Sequence, residues 1–135
     1  MRKPLPICYV LSVLALAALL AFGCGGGNGG SGGEVIDWSK ATQFVGKWKT
    51  VEGPVLGAHF ANTSRGQPTF LNVGRAYPTP ERFTVLIWGS DRAKFPQPPE
   101  TMYVGHTIHV KGEIVLYKGS AEIVVRDPAH IEVTK

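Results

Sequence analysis

Residues 25–33 contain only glycine, asparagine and serine, and a run of that kind cannot take part in a packed core. It has no apolar surface to bury and much conformational entropy to lose. The run therefore divides the chain into a short start, 1–24, and a remainder, 34–135, that has to fold by itself. As a flexible coil, a nine-residue segment of this composition reaches about 15–18 Å. It is not a phosphate cradle, because no strand leads into it and no helix N-terminus follows. The remainder is long enough for one domain and too short for two.

The start of the chain has the layout of an export signal: Arg2 and Lys3, an apolar stretch over 7–22, the small residue Gly23, and then Cys24. Ala21, Phe22, Gly23 and Cys24 resemble the lipobox of bacterial lipoproteins, whose cysteine is acylated and becomes the first residue of the mature protein. Gly23 fits the small position, while Ala21 stands where the family prefers leucine and Phe22 where it prefers a small residue. The resemblance implies a signal peptide over 1–23, a lipidated Cys24 opening a tether over 24–33, and the membrane as a partner through that lipid. It also implies a bacterial cell-envelope location facing the periplasm or exterior, on the outer membrane if the host has one. Plain secretion and an uncleaved anchor are the alternatives. A span from Pro4 to Gly23 just reaches the ~20 residues a spanning helix needs, but Pro4 and Pro6 shorten the usable helix.

Cleavage changes the chemistry of what remains. Arg2 and Lys3 leave, so the 14 Lys and Arg of the whole chain become 12 against 10 Asp and Glu, and the net charge falls from +4 to +2. That is too mild to demand a nucleic-acid partner on charge alone. Cys8 leaves as well, and the single remaining cysteine is the lipidated one, so no disulfide is available even outside the cytoplasm. Stability has to come from a core.

From Glu34 onward the chain reads as short runs rich in Val, Ile, Thr and aromatics, divided by Gly and Pro. Strands are predicted over 47–56, 69–73, 82–88, 107–117, 121–125 and 131–134. One short helix is predicted over 39–44, capped by Asp37 or Ser39 and anchored by Trp38 and Phe44, with irregular chain as the alternative. Regularly spaced short strands point to a small barrel or sandwich. An internal echo favours the barrel. Residues 46–53 (GKWKTVEG) and 105–112 (GHTIHVKG) share an opening glycine, a valine in the sixth place and a closing glycine. Strands entered and interrupted by glycine suit sharp curvature.

The two echo segments, together with 69–74, 83–88 and 117–128 in that order, resemble the OB-fold domains of bacterial nucleic-acid-binding and secreted nuclease proteins. The resemblance implies an all-β, five-stranded OB-like barrel over 34–135, with at most one short helix. Lys49 departs from it, since it stands where Ile108 stands in the echo. It either snorkels at the barrel rim or the register is slipped by one.

Alternation assigns Leu71, Val73, Phe83, Val85, Ile87, Val51, Ile108 and Val110 to the barrel interior. The opposite set is Trp48, Thr50, Phe70, Asn72, Thr84, Leu86 and Trp88. The OB resemblance implies a ligand on the face of its second and third strands, with aromatics as stacking platforms. The candidate binding residues are Trp48, Phe70, Asn72, Arg75, Arg82 and Trp88. Arg65, Arg75, Arg82, Arg92 and Lys94 make this the most basic segment. Packing of the aromatics beneath a loop or helix is the competing reading, and Tyr77, between Ala76 and Pro78, serves either to stack or to pin its loop.

No catalytic constellation emerges, and no enzymatic activity, metal or cofactor is expected. His59, His106, His109 and His130 lack zinc spacing, the carboxylates are scattered, and no serine sits in a nucleophile elbow. Two functions remain. One is a tethered module binding single-stranded nucleic acid or another polyanion or glycan. The other is an envelope assembly protein whose barrel contacts a protein partner.

Overall fold

The computed structural model describes residues 34–135. The readings of the signal peptide, Cys24 and the tether lie outside the described residues. The strands are β1 (Val35–Asp37), β2 (Trp48–Phe60), β3 (Thr69–Val73), β4 (Phe83–Ile87), β5 (Thr107–Glu113), β6 (Val115–Tyr117), β7 (Ser120–Val124) and β8 (Ile131–Val133). Between them lie a 3-10 helix (Trp38–Phe44), two single-turn helices, α1 (Gly89–Arg92) and α2 (Pro99–Met102), and a 3-10 turn (Pro128–His130).

The strands pair in the order β6-β7-β4-β3-β2-β5-β8, and β1 lies parallel to β2. Within this path β4 and β7 are also parallel, while the other neighbours are antiparallel. Without the short strands β1, β6 and β8, the remaining order is β5-β2-β3-β4-β7, the connectivity of an OB-like Greek key.

Two expectations are corrected here. In place of five strands the domain has eight in one open sheet, seven in a hydrogen-bonded path and β1 alongside β2. The predicted strand over 107–117 breaks at Ile114, whose backbone N–H donates to Lys47 O and whose carbonyl accepts from Gly46 N. Before the break β5 pairs with β2; after it β6 pairs with β7. The second correction concerns helices, since α1 and α2 join the 3-10 helix where one short helix is predicted. Each is a single turn, too short for a periodic apolar signal; α2 is marked only by proline at its start.

β2 runs further than its sequence suggests. It passes through Pro54 and a register shift between Val55 and Gly57, so its first half pairs with β5 and its second with β3. A bulge of this kind bends a strand from one partner to the next.

The echo has a structural cause. Gly46 and Gly105 both turn into their strands at φ 89°, a left-handed conformation that favours glycine. The closing glycines make room instead. A Cβ on Gly53 would lie 2.5 Å from Val73 Cγ1, and one on Gly112 would lie 2.5 Å from Ile123 Cγ2.

The interior set is buried as predicted: Val51, Leu71, Val73, Phe83, Val85, Ile87, Ile108 and Val110 all lie in the core. Val51 pairs with Val110, so the register is not slipped. Lys49 snorkels at the rim, its Nζ 4.8 Å from the Phe44 ring centroid and 3.7 Å from Glu34. Asp37 caps the 3-10 helix by accepting from the Ser39 backbone N–H at 2.9 Å, and Trp38 and Phe44 pack on the core. Thr50, assigned to the outside, is buried where β1 pairs alongside it.

Candidate functional site

β4 is buried on both faces, and the reason lies in what its outer face meets. Asn72 of β3 pairs with Thr84 of β4, and Thr84 pairs with Glu122 of β7. Strands stand about 4.8 Å apart, so the register lays these three side chains in one polar row across the sheet. All three are buried. The row is the floor of a groove of about 860 Å³, whose lining includes His59, Phe70, Tyr77, Arg82, Tyr117 and Lys118.

The floor is polar but poorly satisfied. Thr84 Oγ1 and Arg82 Nε are buried with no hydrogen-bond partner, an arrangement that ordinarily costs stability. Arg82 donates one bond, from its Nη1 to Thr79 O at 2.8 Å, and its guanidinium lies 5.1 Å from the Tyr77 ring centroid. Burial pushes the Glu122 carboxyl above the usual glutamate range, and the positive charge of Arg82 opposes that rise. Ser120 donates to Pro80 O at 2.7 Å and ties β7 to the loop that carries Tyr77 and Arg82.

Phe70, Asn72 and Arg82, three of the six candidate residues, line this groove. Arg75 is exposed on the β3–β4 loop beside it. Trp88, 36% exposed, lines a separate hollow of about 410 Å³ with Gly66, Gln67, Gly89 and Ser90. Trp48 is 64% exposed on the half of β2 that pairs with β5, edge-on to His130 with centroids 5.9 Å apart.

The basic segment is less free than its composition suggests. Arg92 makes two bonds to Glu100, at 2.6 and 2.7 Å, donates to Thr69 Oγ1, and lies over the Phe60 ring at 3.6 Å. This pairing lowers the Glu100 pKa and raises that of Arg92. Lys94 is held by Asp91 at 3.0 Å and by Arg126 O. His109 meets Glu52 at 2.8 Å, and His106 meets Lys135 O. Among the described residues no three His, Cys, Asp or Glu side chains converge as a metal site, and no helix is long and apolar enough to cross a membrane.

Sequence reasoning missed Glu122, Tyr117, Lys118 and His59 as groove residues. Glu122 on β7, Tyr117 on β6 and His59 near the end of β2 offered only alternation as a signal, which needed the strand pairing to become meaningful, and Lys118 lies in the turn between β6 and β7.

No protein-family model matches the chain, and no curated protein sequence matches it. Its fold does have likenesses among solved structures. Aspartyl-tRNA synthetase from Entamoeba histolytica superposes with a TM-score of 0.53 at 15% identity, covering 76% of this chain and 21% of the synthetase. The hypothetical protein ygiW from E. coli gives 0.46 at 16% identity, covering 76% of this chain and 91% of that one. A Klebsiella pneumoniae protein provisionally described as a nucleic acid-binding lipoprotein gives 0.45 at 14% identity, covering 73% and 78%. The synthetase likeness shows a shared, OB-like fold, and this chain spans about a fifth of that enzyme.

Proposed function

We propose that the 34–135 domain is a binding module for single-stranded nucleic acid, held at the cell envelope by the lipid on Cys24. The observation that carries this reading is the groove on the β3–β4–β7 face. It combines ring surfaces at Phe70, Tyr77 and Tyr117 with buried polar atoms that have no partner inside the protein. Ring surfaces accept any base by stacking, and unpartnered polar atoms await an edge to bond. In an OB-like fold this face, with its adjoining loops, is where extended polymers lie. Lys118 and Arg82 border the groove, and Arg75 stands exposed on the adjoining loop, so positive charge is available to the backbone of a bound strand.

The test is binding of the soluble 34–135 domain to single-stranded DNA, RNA and glycans at two salt concentrations. Nucleic-acid affinity is expected to fall with salt, with a log–log slope of about −0.7 for each phosphate neutralised. Absence of nucleic-acid binding at low salt overturns the reading. A protein partner docked on exposed Trp48 is the competing function, and its affinity would be far less sensitive to salt. For the tether, Cys24→Ser should abolish metabolic labelling with a fatty acid; a variant that still labels removes the lipid from the proposal.

A further inference from the structure

The floor of the groove holds a carboxyl, Glu122, where a nucleic-acid site would ordinarily present only positive or neutral groups. Glu122 is 8% exposed at the end of the polar row, and its ionised form repels a phosphodiester. Phosphates are therefore kept to the rim, where Lys118 is exposed, and the bases of a bound strand turn inward. The hydrogen-bonding pattern of the floor then selects among bases. Glu122 supplies two acceptor oxygens. Arg82, close enough to bias its titration yet not in salt-bridge contact with it, lines the same groove and donates only from Nη1 within the protein.

Adenine and cytosine each present one donor on the Watson–Crick edge, beside acceptors. Thymine presents one donor between two acceptors. Guanine alone presents two adjacent donors, N1–H and N2–H, next to an acceptor, O6. Resting on the function proposed above, we infer that the groove prefers guanine, with Glu122 accepting from N1–H and N2–H and the Arg82 guanidinium, which lines the same groove, donating to O6. Reading a splayed base by its Watson–Crick edge while its face stacks on an aromatic ring is the usual mode of single-strand recognition. Tyr77, 72% exposed beside Arg82, is placed to supply that ring.

The experiment is fluorescence anisotropy of the 34–135 domain with labelled nine-residue thymidine strands. The central position carries guanine, inosine, adenine, cytosine or thymine. The guanine strand should bind about 5- to 100-fold tighter than the all-thymidine strand, the range a good bidentate base contact gives. Inosine, which keeps N1–H and O6 but lacks the N2 amino group, should lose most of that margin. Glu122→Gln should collapse the ratio of guanine to inosine to within about twofold, since the amide offers one acceptor instead of two. Equal binding of all five strands overturns the guanine inference and leaves the single-strand function standing. A guanine preference that survives Glu122→Gln in a folded variant overturns the assignment to Glu122. Absence of binding to every strand at low salt overturns both.

Discussion

The domain holds two arginine–glutamate partnerships built in opposite ways. Arg92 and Glu100 meet through two short bonds, and Thr69 and the Phe60 ring complete the arginine's surroundings. Arg82 and Glu122 feel each other's charge but form no ion pair, and Arg82 Nε is left buried without a partner. The first arrangement is what a fold does with a charge it needs for itself: a planar guanidinium satisfied bidentately and sandwiched on an aromatic face. It joins α1 and α2 to β3 and to the end of β2. The second leaves donors and acceptors open at the bottom of a groove. A structure that saturates one arginine and leaves another, ten positions away, only partly bonded separates scaffold from binding surface, although both belong to one basic stretch of sequence.

The largest effect expected from this contrast is on stability. Arg92→Ala removes two charge-assisted bonds and leaves Glu100 partly buried and unpaired, at a cost of about 3 kcal/mol in urea unfolding. Oligonucleotide affinity should not change. A folded Arg92→Ala domain that loses affinity would place Arg92 in the binding surface and remove the distinction. The next effect lies on the other side. Tyr77→Ala, at an exposed ring beside Arg82, should weaken single-strand binding by about 1–2 kcal/mol, as loss of one stacked base does, with unfolding unchanged. Trp88→Ala and Trp48→Ala, outside the groove, should leave affinity within twofold of wild type. If Trp88→Ala matches Tyr77→Ala, the binding surface extends into the hollow beside Gly66.

The sequence made the scaffold legible and the binding surface only partly so, for a physical reason. Alternation is local, so Leu71, Val73, Phe83, Val85 and Ile87 were assigned to the interior without knowledge of the pairing, and all are buried. The same alternation placed Phe70, Asn72 and Thr84 on the opposite face. It could not say that Glu122 lies beside Thr84, because that contact depends on parallel pairing between strands more than thirty residues apart. Nor does an outward position by itself mark the groove. Trp48 and Trp88 are the largest aromatics in the outward set, yet they stand apart from the groove. The less conspicuous Tyr77 and Tyr117 line it. Gly57 reads as a strand breaker, so the predicted strand stops at Leu56. In the fold a register shift between Val55 and Gly57 absorbs it and carries the strand on to Phe60.

The smallest effect, and the most direct comparison of the two pairs, is their response to pH. The Glu100 pKa is lowered in the folded state, chiefly by its bonds to Arg92, so its stabilising contribution is present above the ordinary glutamate value and is lost as pH falls through the folded one. The Glu122 pKa is raised, chiefly by burial, so its favourable contribution is present below the ordinary value and is lost as pH rises through the folded one. Charge on Glu100 therefore supports the fold, and charge on Glu122 opposes it. Glu100→Gln should destabilise the domain at pH 7, with the deficit shrinking as the pH is lowered past the glutamate range. Glu122→Gln should stabilise it at pH 7, with the gain shrinking over the upper part of that range. Urea midpoints of the two variants against wild type at pH 7, 5 and 3.5 measure both trends. Shifts of the same sign at pH 7 would mean that Glu122 is structurally paired after all, and that the groove floor is a second clip.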